Sequence, residues 1–180
     1  MHHTPSLPVL PHLADHTGPG PVRILMVCMG NICRSPTAHG ALEKMVADAG
    51  LTRRIAVDSA GTHGYHVGEP PDARAQQHAA RRGYDLSAQR ARHLVARDFE
   101  AFDLVLVMDA ANEAHARPLC PPGLHHRLRR LTDFCTNVQA HEVPDPYYGG
   151  TAGFEQVLDI VEDACRGLLG VVAPETGRRA

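Results

Sequence analysis

One ten-residue run constrains this chain more than any other: Val27-Cys28-Met29-Gly30-Asn31-Ile32-Cys33-Arg34-Ser35-Pro36. Ile24, Leu25, Met26 and Val27, just before the loop, form a short apolar run that reads as a buried strand. Ser35 followed by Pro36 reads as a helix N-cap and a first-turn proline. A strand that feeds a helix through so short a loop turns the loop's backbone N–H groups toward one spot at the helix N-terminus. That spot attracts a dianion and favours a thiolate, since both put negative charge beside unpaired donors. The loop therefore suits holding a phosphate next to an ionised Cys28, which is what cysteine-dependent cleavage of phosphate esters needs.

The rest of the chain alternates strand and helix patterns. Strands are expected at Val22–Cys28, Arg54–Ser59, Asp103–Met108 and Arg127–Thr132. Between them, Ala38, Ala41, Leu42, Met45, Val46 and Ala49 recur at helical spacing before Gly50. A second helix is expected over Asp72–Arg82, and a third over Ala111–Arg117 ending at Pro118. In the last, Phe154, Val157, Leu158, Val161, Cys165, Leu168 and Leu169 share one face. Such alternation implies an α/β fold: a single doubly wound domain with a four-stranded parallel sheet and helices on both faces. Ligands of such sheets bind beyond the carboxyl ends of the strands, where Cys28, Ser59 to Thr62 and Asp109 would all stand. Residues 1–21 are rich in Pro, His and Gly and are expected to form a flexible leader. The domain would span 22–172, with a tail at 173–180.

At 180 residues with 43% hydrophobic content, the chain can bury a core without staples. A net charge of −2 gives no electrostatic support to nucleic-acid or membrane-surface binding. No apolar run approaches the roughly 18 residues of a membrane span. An odd count of five cysteines, without a secretory signal, argues against a disulfide framework and for a cytoplasmic setting. No cysteine pair has zinc-finger spacing, the histidines are scattered, and neither a metal site nor a cofactor is expected.

Metal-free phosphate-ester cleavage needs an ionised nucleophile, a clamp for the phosphoryl oxygens and an acid for the leaving oxygen. Cys28 can be the nucleophile, and the planar fork of Arg34 can hold two oxygens as a lysine could not. Ser35 either donates to the thiolate or caps the helix, and the two roles are compatible. Gly30 permits close approach to the ligand, and Asn31 can brace the loop through its side chain or a left-handed backbone. Asp145 is the best candidate acid. Pro-Asp-Pro is by itself more often a simple turn. The adjacent Tyr147 and Tyr148, on a loop ending in Gly149 and Gly150, are poorly explained as core and can wall a pocket for a flat ring.

Together, the Cys28–Ser35 loop with Pro36, Asp58-Ser59-Ala60-Gly61-Thr62, Met108-Asp109 and Asp145-Pro146-Tyr147-Tyr148-Gly149 resemble the low-molecular-weight protein tyrosine phosphatases, in family order and spacing. The resemblance implies a phosphotyrosine hydrolase that works through a phosphocysteine. It makes Cys28 the nucleophile, Arg34 the clamp and Asp145 the acid and then base. Met29, Gly30, Asn31, Ile32, Cys33 and Ser35 would complete the phosphate loop, which would also take a free phosphate or sulfate ion. Ser59 and Asp109 would support it, and Tyr65, Tyr147 and Tyr148 would line the substrate cleft. His63, His66 and Glu69 would flank that cleft. Cys33 matches a second loop cysteine able to form a disulfide with the nucleophile, although an inert small hydrophobe explains it equally well. Gln89 stands where many members carry a loop-bracing histidine, and His93 where they carry glutamine. Ile32 stands where phosphoarginine-specific relatives carry threonine, which favours an aromatic ester. Bacterial relatives act on tyrosine kinases of polysaccharide export or are secreted into hosts, and either implies a phosphotyrosine protein as partner.

Thiol-relay arsenate reductases share such a loop, but they need two further cysteines close together, and Cys120 and Cys135 are far apart in sequence. A non-catalytic phosphate binder, or a merely structural strand-to-helix turn, leaves the Cys28, Arg34 and Asp145 set unexplained.

Overall fold

Strand β1 (Val22–Cys28) is buried at every position except Arg23, and its side chains alternate between two cores. Ile24, Met26 and Cys28 face one cluster, together with Leu104 and Leu106. Leu25 and Val27 face the other, with Val105 and Val107. A strand apolar on both sides must be covered on both sides.

The computed structural model describes residues 6–14 and 19–177. A short helix α1 (Pro11–Ala14) precedes β1, followed by α2 (Arg34–Asp48), β2 (Ile55–Gly61), α3 (Ala73–Arg81) and α4 (Asp98–Ala101). Then come β3 (Leu104–Val107), α5 (Ala110–Ala116), β4 (Leu128–Arg130) and the long α6 (Thr151–Gly177). The strands form one parallel sheet in the order β2-β1-β3-β4, as expected for a doubly wound fold. Helices α2 and α6 cover one face through Leu42, Val46, Val157, Val161 and Leu168. Phe99, Phe102 and Ala116 cover the other. The chain reverses its winding between β1 and β3, which opens a crevice at their carboxyl ends, and Cys28 ends β1 there.

Several boundaries differ from those expected. Helix α2 begins at Arg34, with Cys33 at the N-cap and no side-chain cap, so Ser35 lies in the first turn and its hydroxyl is directed elsewhere. Strand β4 is only three residues long because Leu131–Phe134 turns into a 3-10 helix that buries Leu131 and Phe134 beneath α6. Asp109 starts α5 one residue early by accepting the Asn112 N–H at 2.7 Å. Helix α6 continues through Pro174 into the stretch expected as tail. Gly167 allows α6 to lie close to the 3-10 turn, since a Cβ there would stand 1.9 Å from the Phe134 carbonyl oxygen.

Part of the expected leader is packed. Leu10 and Leu13 bury in the core on the α2 and α6 side, and the His12 Nε2–H donates to the Asp103 carbonyl at 2.9 Å. Two buried leucines contribute about 1.5–3 kcal/mol each, enough to hold a single helical turn in place. Within that leader, residues 1–5 and 15–18 lie outside the described residues. No helix among the described residues is long and apolar enough to cross a membrane.

Candidate active site

Parallel pairing continues past the end of β2 and fixes the start of the loop. The Thr62 N–H donates to the Cys28 carbonyl at 2.9 Å, and the His63 N–H to the Met29 carbonyl at 3.0 Å. Gly61 makes this approach possible, because a Cβ there would sit 2.7 Å from the Met29 oxygen. Cys28 Sγ is then met by two donors: the Asn31 N–H at 3.3 Å and the Ser35 hydroxyl at 3.0 Å. Both suit a sulfur that carries negative charge.

Asn31 holds this arrangement in both of the ways open to it. Its backbone is left-handed, at φ 56°, a region asparagine tolerates better than most residues. Its side-chain orientation is set by the Arg92 N–H, which donates to Oδ1 at 3.0 Å. The amide hydrogens therefore face the other way, to Ser35 Oγ at 2.8 Å and Ser59 Oγ at 3.0 Å. With the Asn31 amide donating onto Ser35 Oγ, the Ser35 hydrogen has two acceptors to choose from, Cys28 Sγ at 3.0 Å and the more distant Ala60 carbonyl at 3.5 Å. Ser59 in turn has His39 Nδ1 at 3.4 Å and Gln89 Oε1 at 3.5 Å, so Gln89 reaches Asn31 only through Ser59.

Arg34 is 3% exposed, and its hydrogen bonds to the protein run through one nitrogen of the fork. Its Nη1 donates to Asp109 Oδ2 at 2.5 Å and to the Val143 carbonyl at 3.1 Å. Its Nη2 lies 3.6 Å from Asp145 Oδ2. Burial opposes the guanidinium charge, but Cys28, Asp109 and Asp145 outweigh it and hold its pKa above the ordinary value. Asp145 thus stands at the same mouth as Cys28, and the Tyr147 N–H orients its carboxylate at 3.0 Å.

A cavity of about 240 Å³ opens here, lined by Cys28, Ile32, Arg34 and Asp145 and walled by Tyr65, Tyr147, Tyr148 and His66. Met29, Gly30 and Cys33 complete the lining. Tyr65 and Tyr148 are 79% and 90% exposed, which excludes a core role for either. His63 stacks on Tyr65, with ring centroids 5.4 Å apart. Of the residues expected in the loop and the cleft wall, all but Asn31 and Ser35 line this cavity, and those two meet Cys28 Sγ from behind it, with Ser59 and Asp109 in contact with Asn31 and Arg34.

Cys33 is a free thiol buried among Ile32, Ala75, Ala91 and Phe154. Burial, then the charges of Asp72 and Cys28, push its pKa well above the ordinary thiol range. A larger cleft, of about 770 Å³, lies between β4 and residues 138–141 and contains Cys135. That thiol is pushed up to about 12, by burial and then by Asp163, and its Sγ–H is directed to the Ile160 carbonyl. The smaller cavity is the one that brings a thiol, a guanidinium and a carboxylate together.

The family model described as low molecular weight phosphotyrosine protein phosphatase matches residues 23–178. The chain belongs to this family. A Streptomyces coelicolor low molecular weight protein-tyrosine-phosphatase is 42% identical over 161 residues, 88% of this chain and 98% of its own length. Its Bacillus subtilis counterpart YfkJ is 35% identical over 154 residues, covering 86% and 97%. A crystal structure of a protein tyrosine phosphatase from Entamoeba histolytica, with Hepes in the active site, superposes with a TM-score of 0.81 at 40% identity, covering 87% of this chain and 99% of that one. Membership carries the family's chemistry: metal-independent hydrolysis of phosphotyrosine in phosphoproteins through a phosphocysteine.

Residues missed at the level of sequence include Arg92, whose backbone sets the Asn31 flip, and His39, which adjoins Ser59 from α2. Arg74 was also missed. It donates to the Tyr147 carbonyl at 3.1 Å. Only the Asp72-x-Arg74 spacing at a helix start hinted at a local pair.

Proposed function

We propose that Cys28, Arg34 and Asp145 perform phosphotyrosine hydrolysis in two displacements at the 240 Å³ cavity. Cys28 Sγ attacks phosphorus, the P–O bond to the phenol breaks, and the Asp145 carboxyl gives its proton to the departing oxygen. Arg34 and the loop bind the equatorial oxygens as charge spreads over them. Water then attacks the phosphocysteine, Asp145 takes back a proton, and the P–S bond breaks to return the thiolate, which Ser35 stabilises. Inorganic phosphate or sulfate occupies the same cradle and competes.

The observation that supports this reading most directly is the sharing of Arg34 between the two reacting sides. One guanidinium adjoins both Asp109 and Asp145, and its charge is coupled to Cys28. The exposed ring walls of Tyr65 and Tyr148, with apolar Ile32 beneath, support an aromatic ester over a guanidinium phosphate. Among phosphoproteins, a tyrosine kinase of polysaccharide export is one partner to assay, and a cytoplasmic site of action goes with it.

The test is release of phosphate from phosphotyrosine, phosphoserine and phosphoarginine peptides with EDTA present, for the parent protein and Cys28→Ser. Release from phosphotyrosine alone, lost in Cys28→Ser, supports the assignment. Phosphoarginine turnover, or release that survives Cys28→Ser, refutes it.

A further inference from the structure

Asp145 lies on a segment, residues 145–150, that is short of anchors. Within it, the Tyr147 N–H bonds Asp145 Oδ1, and the Gly149 N–H bonds the Pro146 carbonyl. Both are internal. At its far end the Gly153 N–H of α6 donates to the Gly150 carbonyl at 3.0 Å. Among the described residues, one hydrogen bond ties residues 146–149 to another part of the fold, and Arg74 makes it: its Nη2 donates to the Tyr147 carbonyl at 3.1 Å. The same guanidinium lies over the Tyr147 ring, 5.5 Å from its centroid, and over the Phe154 ring of α6 at 4.9 Å.

Arg74 is itself held in place. Its Nε and Nη2 grip the two carboxylate oxygens of Asp72 at 3.2 Å and 3.0 Å. Asp72 is the N-cap of α3, and its own N–H donates to the carbonyl of Ile32 in the phosphate loop at 2.8 Å. A continuous path therefore runs from Ile32 through Asp72 and Arg74 to Tyr147, whose N–H orients the Asp145 carboxylate. Each link is a hydrogen bond, and the planar fork of Arg74 is what allows one side chain to make the two in the middle, to Asp72 and to Tyr147.

We propose that Arg74 is a positioning residue that registers the Asp145 loop against the phosphate loop, so that the acid meets the leaving oxygen above Cys28. It touches neither phosphorus nor the leaving group. This rests on the assignment of Asp145 as the acid, and the experiment separates failure of the one from failure of the other.

The measurement is kcat/KM for aryl phosphates spanning good to poor leaving groups, in Arg74→Met, Arg74→Lys, Asp145→Asn and the Arg74→Met/Asp145→Asn double variant. Misplacing an acid harms only departures that need protonation. Arg74→Met is expected to lower kcat/KM about tenfold for a poor leaving group and less than about twofold for a good one. Arg74→Lys keeps the charge without the fork and is expected to fall between. In the Asp145→Asn background the Arg74 change is expected to add less than about twofold, because there is no acid left to misplace. Equal losses across leaving groups, or the same tenfold loss in both backgrounds, would overturn the role of Arg74. If Asp145→Asn itself shows no leaving-group dependence, the acid assignment falls first.

Discussion

The Ser35 hydroxyl lies 3.0 Å from Cys28 Sγ while accepting the Asn31 amide at 2.8 Å, and its hydrogen has that sulfur, the proposed leaving group of the second displacement, as a nearer acceptor than the Ala60 carbonyl at 3.5 Å. A hydrogen bond to a charged partner contributes about 1.5–3 kcal/mol. Ser35→Ala is expected to slow hydrolysis of the phosphocysteine about tenfold to a hundredfold while formation changes less. Rapid-quench experiments would then show a burst of phenol followed by slow turnover. A variant with no burst and equal losses in both steps would show that the hydroxyl serves the loop's shape alone.

Gly61 is the position where backbone meets backbone at the base of the loop. A Cβ there would stand 2.7 Å from the Met29 oxygen and 3.1 Å from both Gly30 C and His63 O. None of these can swing away like a side-chain tip. Gly61→Ala must therefore push Met29 and Gly30 outward, at a cost of about 1–3 kcal/mol in stability. Activity is expected to suffer more than stability, with a loss of about a hundredfold as the donors on Cys28 Sγ lose their alignment. Near-parent activity in a folded Gly61→Ala protein would mean that the loop tolerates displacement.

Ser59 has one hydroxyl hydrogen and two acceptors for it, His39 Nδ1 at 3.4 Å and Gln89 Oε1 at 3.5 Å. The His39 Nε2–H is committed to Glu43 Oε2 at 3.0 Å, which leaves Nδ1 free to accept. Gln89 is braced by its donation to the Pro36 carbonyl at 3.0 Å. Either acceptor can hold Ser59 in place beneath Asn31. His39→Leu and Gln89→Leu are each expected to lower kcat less than about threefold, and the pair together tenfold or more, since only the double variant removes both. Strictly additive losses would show that the two act independently of Ser59.

How far the sequence reveals this site depends on chain distance. The Cys28–Ser35 loop is legible because nucleophile, clamp and helix start are contiguous, and the strand before it is apolar on both faces. Asp145 is hidden locally as a Pro-Asp-Pro turn and emerges only with the tyrosines and the family pattern. Arg74 and Arg92 are not legible at all: their partners Tyr147 and Asn31 lie 73 and 61 positions away, and nothing local marks either pairing. The packing of Leu10 and Leu13 escapes for a different reason. A four-residue helix among prolines is too short to show periodicity, and only the core's shape reveals that it has a place.

Asp163 supplies a pH-dependent anchor far from the chemistry. It is 1% exposed, and it accepts from the N–H groups of Thr136, Asn137 and Val138 at 2.9–3.0 Å and from the Thr136 hydroxyl at 3.0 Å. Burial raises its pKa, but these donors outweigh burial, and it lies below its usual value of 3.8. A carboxyl lowered in this way stabilises the fold fully above the unfolded pKa, and the contribution is lost as pH falls toward the folded one. Asp163→Asn faces the same donors with an amide that can satisfy only some of them, and is expected to cost about 2–4 kcal/mol at neutral pH. That gap should hold from pH 7 down to about 5 and shrink below about pH 4, where the parent protein gives up its advantage. Urea denaturation of both proteins across this range measures it. A gap that stays constant to pH 3 would place the acid sensitivity of the fold in other carboxylates.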